Sequence, residues 1–375
     1  MSARFLTAVS GRAFNMRDRF GREIDYMRIS VIDSCNLNCY YCNPQDNNKN
    51  CQAINTLSVK KVLCIVRAAT RLGITHFRLT GGEPLLHPQI DEMVSQIKKI
   101  PAVRSVSLTT NAVLLAQHAK QLKEAGIDSI NVSLDTIDAS EYEHITKKPL
   151  LHKVEQGIDA AIECGIRVKI NAVLTPQTDV VALTRYASKK GTDIRFIEMM
   201  PVGEGHTNGV EPYKKVIGTL SKLYGEPCRI NTEKTKEINS GNDKRKIPDN
   251  GPAEYYIFPE LGIRVGLIQA IHGKFCDTCN RIRVTADGRL MPCLGSSVTM
   301  DLVPDSCEFT DDLEKDFVIV QALKAAIKAK PGCHNFNDNA VTYTKTTETK
   351  TTEIKTTELK AAEVNAARNM SRIGG

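Results

Sequence analysis

Six short runs in which polar and apolar residues alternate, each followed by an amphipathic stretch, constrain the fold more tightly than any other feature of the chain. They are MRISVID from Met27, HFRLTGG from His76, SVSLTTN from Ser105, INVSLD from Ile130, RVKINAV from Arg167 and DIRFIEM from Asp193. The stretches between them, such as VKKVLCIVRAATRLG and VEQGIDAAIECG, have helical spacing and stop at Gly73 and Gly165, as helices closed by a glycine do. Alternating strand and helix predicts a parallel sheet with right-handed crossovers. Functional residues then belong at the C-terminal strand ends. Those ends read Gly81-Gly82-Glu83-Pro84, Thr109-Thr110-Asn111, Ser133-Leu134-Asp135 and Glu198-Met199-Met200.

Parallel strands buried on both faces read as nearly continuous apolar runs, and these do not. Arg28 and Ser30 oppose Met27, Ile29 and Val31; Arg78 and Thr80 oppose Phe77 and Leu79; Lys169 and Asn171 oppose Val168 and Ile170; Arg195 opposes Ile194 and Phe196. With helices on the apolar face, the other face is polar and carries Arg28, Arg78, Lys169 and Arg195. A buried cation without a partner is too costly to keep. Two readings stand: an open sheet whose polar face is wet, or, the favoured one, a barrel lined with polar residues around an anionic ligand.

After about Pro212 the rhythm changes. EYYIF, IRVGLIQ and NRIRVTADGRLMPCL read as short strands of a second unit, the last turning at Asp287-Gly288. Beyond Asn339 a five-residue repeat (KTTET, KTTEI, KTTEL, KAAEV) advances about 140° per unit around a helix and cannot build one apolar stripe. It reads as a solvated spacer. The length of 375 residues with 41% hydrophobic and 25% charged content suits two globular domains. No apolar run approaches the roughly 20 residues that cross a bilayer. The N-terminal stretch has Arg4, Arg12 and Arg17 and no acid before Asp18, a composition shared with organelle transit segments; a short flexible lead is the reading adopted. The net charge of +7 could signal nucleic acid, but tryptophan and a compact basic–aromatic cluster are absent, and a basic pocket for a small anion fits the charge equally well.

Twelve cysteines with no secretion signal point to metal or redox chemistry. Directly after the first strand, CNLNCYYC sets Cys35, Cys39 and Cys42 with three and then two residues between them. Structural zinc takes four ligands, and Cys51 is the available fourth. An iron–sulfur cluster held by three thiolates instead keeps one iron free for another molecule. The spacing, with Tyr41 before the last cysteine and TGGEP at residues 80–84, resembles the radical S-adenosylmethionine (SAM) enzymes. In that family three thiolates hold a [4Fe-4S] cluster, SAM chelates the fourth iron, and an electron from the cluster cleaves SAM to a 5′-deoxyadenosyl radical.

A second triplet follows: Cys276 and Cys279 in CDTC, then Cys293 after thirteen residues, with Cys307 and Cys333 as the cysteines that would complete a zinc ribbon. Arg281 and Arg283 in CNRIR suit an anion bound beside such a site, since a guanidinium fork fits phosphate; taken alone they are equally ordinary exposed strand residues. The run from FGREIDYMRISVIDSCNLNCYYC through RLTGGEPLL, LTTNA, INVSLD, RFIEMMP and CDTCNRIRVTADGRLMPCL to a terminal RIGG resembles the GTP 3′,8-cyclases of molybdenum-cofactor biosynthesis over nearly the whole chain. That resemblance implies an α/β fold, an incomplete six-unit TIM barrel with a smaller C-terminal α+β domain carrying a second [4Fe-4S] cluster. It implies GTP contacts from Arg28, Arg78, Thr109, Lys169, Arg281 and Arg283, and SAM contacts from Tyr41, Gly82, Ser133 and Met200. The clusters fall to Cys35, Cys39 and Cys42 and to Cys276, Cys279 and Cys293. Gly374 and Gly375 are implied to reach the active site and aid the radical step, a catalytic role.

The chain departs from the family in having Ala112 where glycine usually follows TTN, in lacking a tryptophan near PVGEGHTNG, and in its five-residue repeat. The expected organisation is a lead over 1–17, a radical SAM partial barrel over 18–210, an auxiliary-cluster domain over 211–340, a spacer over 341–367 and a tail over 368–375. The expected reaction converts GTP to (8S)-3′,8-cyclo-7,8-dihydroguanosine 5′-triphosphate. A flavodoxin- or ferredoxin-like electron donor is expected, and cyclic pyranopterin monophosphate synthase receives the product. No nucleic acid or membrane partner is expected, a homodimer is left open, and the location is cytoplasmic, or the mitochondrial matrix in a eukaryote. Two rivals remain: a radical SAM enzyme acting on a peptide or tetrapyrrole precursor, and a two-site zinc-binding protein.

Overall fold

The structure, a computed structural model, describes residues 16–42, 54–200, 212–230, 251–296, 299–302 and 313–334. Cys51, Cys307, the PVGEGHTNG stretch, the five-residue repeat, Gly374 and Gly375 lie outside the described residues, as does the lead up to residue 15.

The six predicted strands form as β1 (Tyr26–Ser30), β2 (His76–Thr80), β3 (Ser105–Thr110), β4 (Ser129–Ser133), β5 (Val168–Leu174) and β6 (Asp193–Glu198). Helices α1 (Val59–Thr70), α2 (Ile90–Lys98), α3 (Leu115–Glu124), α4 (Ala139–Thr146), α5 (Leu151–Glu163) and α6 (Val180–Lys189) lie between them in sequence. Their ends carry the expected chemistry. Ser58 caps α1 by accepting from the Lys61 amide at 3.3 Å, and Asp179 caps α6 by accepting from Ala182 at 2.9 Å. Gly165 stops α5 at φ +69°, a conformation that strains any residue with a Cβ.

The later elements are α7 (Pro212–Tyr224), β7 (Cys228–Ile230), β8 (Glu254–Ile257), β9 (Arg264–Ile268), β10 (Arg281–Val284), β11 (Arg289–Met291), β12 (Met300–Asp301) and α8 (Leu313–Lys328). Their strands do not build a sheet of their own. The order is β12-β11-β10-β1-β2-β3-β4-β5-β6-β9-β8-β7, one unclosed sheet. Strand β10 adds parallel to β1 at one side, and β9 adds parallel to β6 at the other. Eight parallel strands thus run in a row, flanked by antiparallel pairs. The chain leaves β9 at one side and enters β10 at the other, so residues 269–280 cross the open side of the partial barrel.

The core lies on the predicted apolar parity. Met27, Ile29, Phe77, Leu79, Val106, Leu108, Ile130, Val132, Ile170 and Ile194 are all fully buried. No helix among the described residues is long and apolar enough to cross a membrane.

Candidate active site

The polar parity is continuous across the sheet. In register, Arg283 of β10, Arg28 of β1, Arg78 of β2 and Ser107 of β3 form one row, and Arg281, Tyr26, His76 and Ser105 form the row below. Farther along, Thr109 neighbours Asn131, which neighbours Lys169, and Asn171 neighbours Arg195. Three arginines on adjacent strands repel one another. Burial and then the Arg283 and Arg78 charges hold the Arg28 guanidinium well below its usual range. Arg283 is lowered by burial and by Arg281, with Cys279 and Cys293 opposing the shift.

Some of these cations are braced within the face. Arg78 Nε donates to Ser107 Oγ at 3.1 Å and Arg195 Nε to Asn171 Oδ1 at 2.9 Å. Lys169 sits over the Tyr255 ring at 5.9 Å and Arg78 over the Tyr26 ring at 5.7 Å. Gly266 makes room, since a Cβ there would lie 2.7 Å from Arg195 Cγ and 3.0 Å from Tyr255 Cε1. Other polar atoms are left over. Thr109 Oγ1, Asn131 Nδ2, Arg195 Nη2, Arg281 Nε and Arg283 Nε are buried with no hydrogen-bond partner among the described residues. Buried donors without acceptors cost about 1–3 kcal/mol each, more when charged. All five belong to this one face. Its donor chemistry fits a bound polyanion.

The first cysteine triplet hangs from the C-terminal end of β1. Its loop is fixed by backbone bonds: Gly82 N donates to Ile32 O at 2.7 Å and Glu83 N to Ser34 O at 2.8 Å. The two glycines are required by this close approach. A Cβ on Gly81 would stand 2.4 Å from Ile32 O, and one on Gly82 2.2 Å from Ser34 O. Glu83, 1% exposed, ties this corner to the end of β3. It accepts from Leu85 N, Thr110 Oγ1 (2.6 Å) and Asn111 N (2.7 Å), and burial pushes its carboxyl up to about 7 against those bonds. Asn111 in turn donates to Cys35 Sγ at 3.8 Å. Tyr41 donates its hydroxyl to Asp135 Oδ2, while Asp135 Oδ1 accepts from Val173 N at 2.8 Å. The thiols here are pushed up: Cys39 by burial, then by Asp135 and the other two cysteines, and Cys35 by burial with a contribution from Glu83.

The second triplet sits on the crossing segment and the hairpin after it. Glu198 at the end of β6 anchors the crossing by accepting from Ile271 N at 2.7 Å and His272 N at 3.1 Å and by pairing with the His272 ring. Lys330, 2% exposed, donates to Arg281 O at 2.9 Å and Pro292 O at 3.0 Å and hydrogen-bonds Cys279. Burial alone would raise the Cys279 thiol; Arg281, Lys330 and Arg283 override it and bring it down to about 7. Among the described residues no three His, Cys, Asp or Glu side chains converge on one ion-sized point. An iron–sulfur cube asks for something else, since each thiolate sits on a different iron.

The structure therefore brings Arg28, Arg78, Thr109, Lys169, Arg281 and Arg283 onto one face, sets Gly82 just after β2 and Ser133 at the end of β4, and holds Tyr41 within the first triplet's loop. Met200 packs against the small cluster of Ile271, Met291 and Leu294 under the crossing segment. Sequence reasoning marked Glu83 and Asp135 only as strand-end residues and assigned no role to Asn131, Arg22 or Lys330. Parity would have found Asn131. Nothing local marks Lys330 or Arg22, whose partners lie far away in sequence.

The sequence profile of the radical SAM superfamily matches residues 29–183, and that of the C-terminal region of molybdenum cofactor synthesis proteins matches residues 192–336. Among solved structures, Streptococcus suis SuiB bound to its precursor peptide SuiA aligns with a TM-score of 0.54 at 16% identity, covering 80% of this chain and 67% of SuiB. Native anSMEcpe with bound AdoMet aligns at 0.50 and 18% identity, covering 81% and 84%. These similarities show the fold alone. Sequence relatives go further. The GTP 3′,8-cyclase of Clostridium perfringens is 36% identical over 86% of this chain and 95% of the relative. That of Clostridium acetobutylicum is 36% identical over 88% and 98%, and that of Listeria monocytogenes 36% identical over 85% and 92%. Identity at this level over nearly the full length of both chains places this protein in the GTP 3′,8-cyclase family, within the radical SAM superfamily.

Proposed function

We propose that the polar sheet face binds the triphosphate of GTP through Arg28, Arg78, Thr109, Lys169, Arg281 and Arg283, and that the chain carries out the family's reaction, closing the C3′–C8 bond within GTP at the first step of molybdenum-cofactor biosynthesis. The observation that carries this reading is the set of buried, unpartnered donors on that face, lying beside three arginines in register. A triphosphate supplies both the acceptors and the charge they lack. Arg195 and Asn131, on the same face, complete the donor set.

Cys35, Cys39 and Cys42 would hold the [4Fe-4S] cluster of a radical SAM enzyme, with Tyr41, Gly82, Ser133 and Met200 around SAM. Bound there, cluster and SAM supply a carbon-centred radical, and the protein's own task is positioning and exclusion of water. The Glu83 strut and the glycine corner fix the loop; the sheet face orients the nucleotide beneath it. Cys276, Cys279 and Cys293 would hold a second [4Fe-4S] cluster on the crossing segment, next to Arg281 and Arg283. Residues 18–210 and 211–340 then act as barrel and auxiliary-cluster units, although their strands share one sheet. Gly374 and Gly375, outside the described residues, complete the site in this reading. A flavodoxin- or ferredoxin-like protein supplies electrons, cyclic pyranopterin monophosphate synthase takes the product, and the enzyme works in the cytoplasm.

The test is anaerobic reconstitution with iron and sulfide, then incubation with SAM, a reductant and GTP. The 3′,8-cyclised triphosphate is expected by mass spectrometry, with 5′-deoxyadenosine formed alongside. SAM cleavage that proceeds equally with and without GTP, and yields no cyclised nucleotide, would overturn the reading.

A further inference from the structure

The second triplet has a fourth cysteine beside it. Arg22, locked by an ion pair with Asp18 at 2.6 Å, uses one Nη1 to reach both Cys276 O at 2.7 Å and Gly332 O at 3.0 Å, and Nη2 to reach Pro331 O at 2.6 Å. One guanidinium thus clamps the segment after α8 to the CDTC turn. The amide of His334, the residue next to Cys333, hydrogen-bonds the Cys276 sulfur, and the His334 ring contacts Ala270 O at 2.7 Å. At the other end of the same segment, Lys330 holds the carbonyls of Arg281 and of Pro292, the residue before Cys293. Five consecutive residues, 330–334, therefore touch all three stretches that carry the triplet. Cys333 lies inside that span, its thiol exposed and an electrostatic neighbour of Cys276.

A peptide amide lies about 2.4 Å from the preceding Cα. With the His334 amide bonded to the Cys276 sulfur, Cys333 sits within one side chain's reach of that thiol. Thiolates on different irons of a cube are also spaced by about a side chain rather than in contact. The site therefore has a fourth thiol beside the three that the reading above gives to its cluster.

We propose that Cys333 is an exchangeable fourth thiolate of the C-terminal cluster, closing its free iron in the substrate-free protein and yielding that position when the nucleotide binds. The inference rests on the second-cluster reading above. The exchange breaks one iron–sulfur bond, forms one iron–nitrogen or iron–oxygen bond, and needs no oxidant or reductant. Its consequence is that the iron is shielded from solvent until substrate arrives. Exposure suits the role, because the side chain can turn outward without disturbing the clamp made by backbone carbonyls, Arg22 and Lys330.

The experiment uses the full chain with Cys35, Cys39 and Cys42 changed to Ala, reconstituted with iron-57 so that only the C-terminal cluster contributes. Mössbauer spectra are compared with Cys333 present and with Cys333→Ala, each without and with GTP. Without GTP, four equivalent thiolate-bound irons are expected when Cys333 is present, and one distinct iron in Cys333→Ala. GTP should produce the distinct iron in both. A distinct iron in the GTP-free protein that still has Cys333 would overturn the proposal. If neither protein takes up a cluster, the second-cluster reading itself fails, an outcome the iron count separates from the first. Because Cys333 is exposed and its clamp uses no atom of its side chain, the substitution is expected to leave folding intact, checked by an unchanged far-ultraviolet spectrum.

Discussion

The two cysteine triplets have the same number of thiols, but the charges around Cys279 are opposite to those around Cys35 and Cys39. Around Cys35 and Cys39 stand Asp135, Glu83 and the other thiols, and every one of these raises the cost of ionisation. Around Cys279 stand Arg281, Lys330 and Arg283, which outweigh burial. The spacings differ, three and two residues against two and thirteen, and so do the charges around them. An acid-flanked site suits SAM, whose sulfonium and ammonium outweigh its one carboxylate. A cation-flanked site opening onto an arginine row suits a nucleotide triphosphate. In the proposed reading each site then takes a partner of opposite charge.

The largest test of this contrast is to remove one thiol at a time. Changing Cys35, Cys39 or Cys42 to Ala should abolish SAM cleavage and remove about half the iron of a protein carrying two [4Fe-4S] clusters. Cys293→Ala should spare the first cluster, keep SAM cleavage and stop cyclisation. The anaerobic iron and sulfide count, read beside 5′-deoxyadenosine production, checks both. A Cys293→Ala protein that loses all its iron would break the comparison, since the sites would then not be independent.

Next comes the nucleotide side. Lys169 is 6% exposed on the polar face, over the Tyr255 ring and away from the first triplet's loop. Lys169→Ala should weaken GTP binding by about tenfold to a hundredfold, the worth of one buried charged hydrogen bond of roughly 1.5–3 kcal/mol. SAM affinity should stay nearly constant. Equilibrium binding of each ligand to the reconstituted protein decides it; equal losses for both would show that the charge division is not sharp.

Much of this was readable in the sequence because a strand has a period of two. Once Arg28 and Arg78 fall on the parity opposite Met27 and Phe77, their shared face follows without knowing the strand order. The strand-end motifs were readable for the same reason, as a parallel sheet gathers those ends. What stayed hidden depends on distant pairing. IRVGLIQ and NRIRV read as strands of a separate unit, and nothing local says that they extend the two sides of the barrel sheet. Arg22 looks like one more basic residue near the N-terminus until its partners prove to be 254 to 310 residues away. Lys330 follows a helix as many lysines do, and only burial reveals it as a strut. Glu83 was visible at a strand end, but its role as the bolt between two strand ends required the positions of Thr110 and Asn111.

A smaller effect sharpens the electrostatic contrast directly. In metal-free protein at pH 7 about half of the Cys279 thiol is ionised, given its value of about 7, whereas Cys35 and Cys39 stay protonated. Iodoacetamide should therefore modify Cys279 well before either, with a rate that rises through about pH 7 and levels above it. Lys330→Met removes one of the charges that lower the thiol and should move that midpoint upward. Peptide mapping by mass spectrometry reads the order; Cys35 or Cys39 reacting first would reverse the assignment of the two environments.

The smallest effect concerns the turn that carries Asn111 to Cys35. Ala112, fully buried, has φ +63°, a left-handed conformation that costs an L-residue about 1–2 kcal/mol. The turn cannot relax easily. Its amide donates to Thr110 Oγ1 at 2.9 Å, and its carbonyl oxygen would lie only 2.5 Å from a Cβ on Gly157 of α5. Ala112→Gly releases the strain but loses a buried methyl, about 0.8 kcal/mol, and gains unfolded-state freedom worth roughly 0.5–1 kcal/mol. These oppose each other, so the net change should lie within about 1 kcal/mol of zero. Ala161→Gly, equally buried but in the regular helix α5, has no strain to release and should cost about 1.5–2 kcal/mol. Denaturant unfolding of the two variants gives the comparison. Equal losses would mean that the Ala112 turn is unstrained, and that the rigidity holding Asn111 against Cys35 comes from its hydrogen bonds with Glu83, Asn36 and Val113.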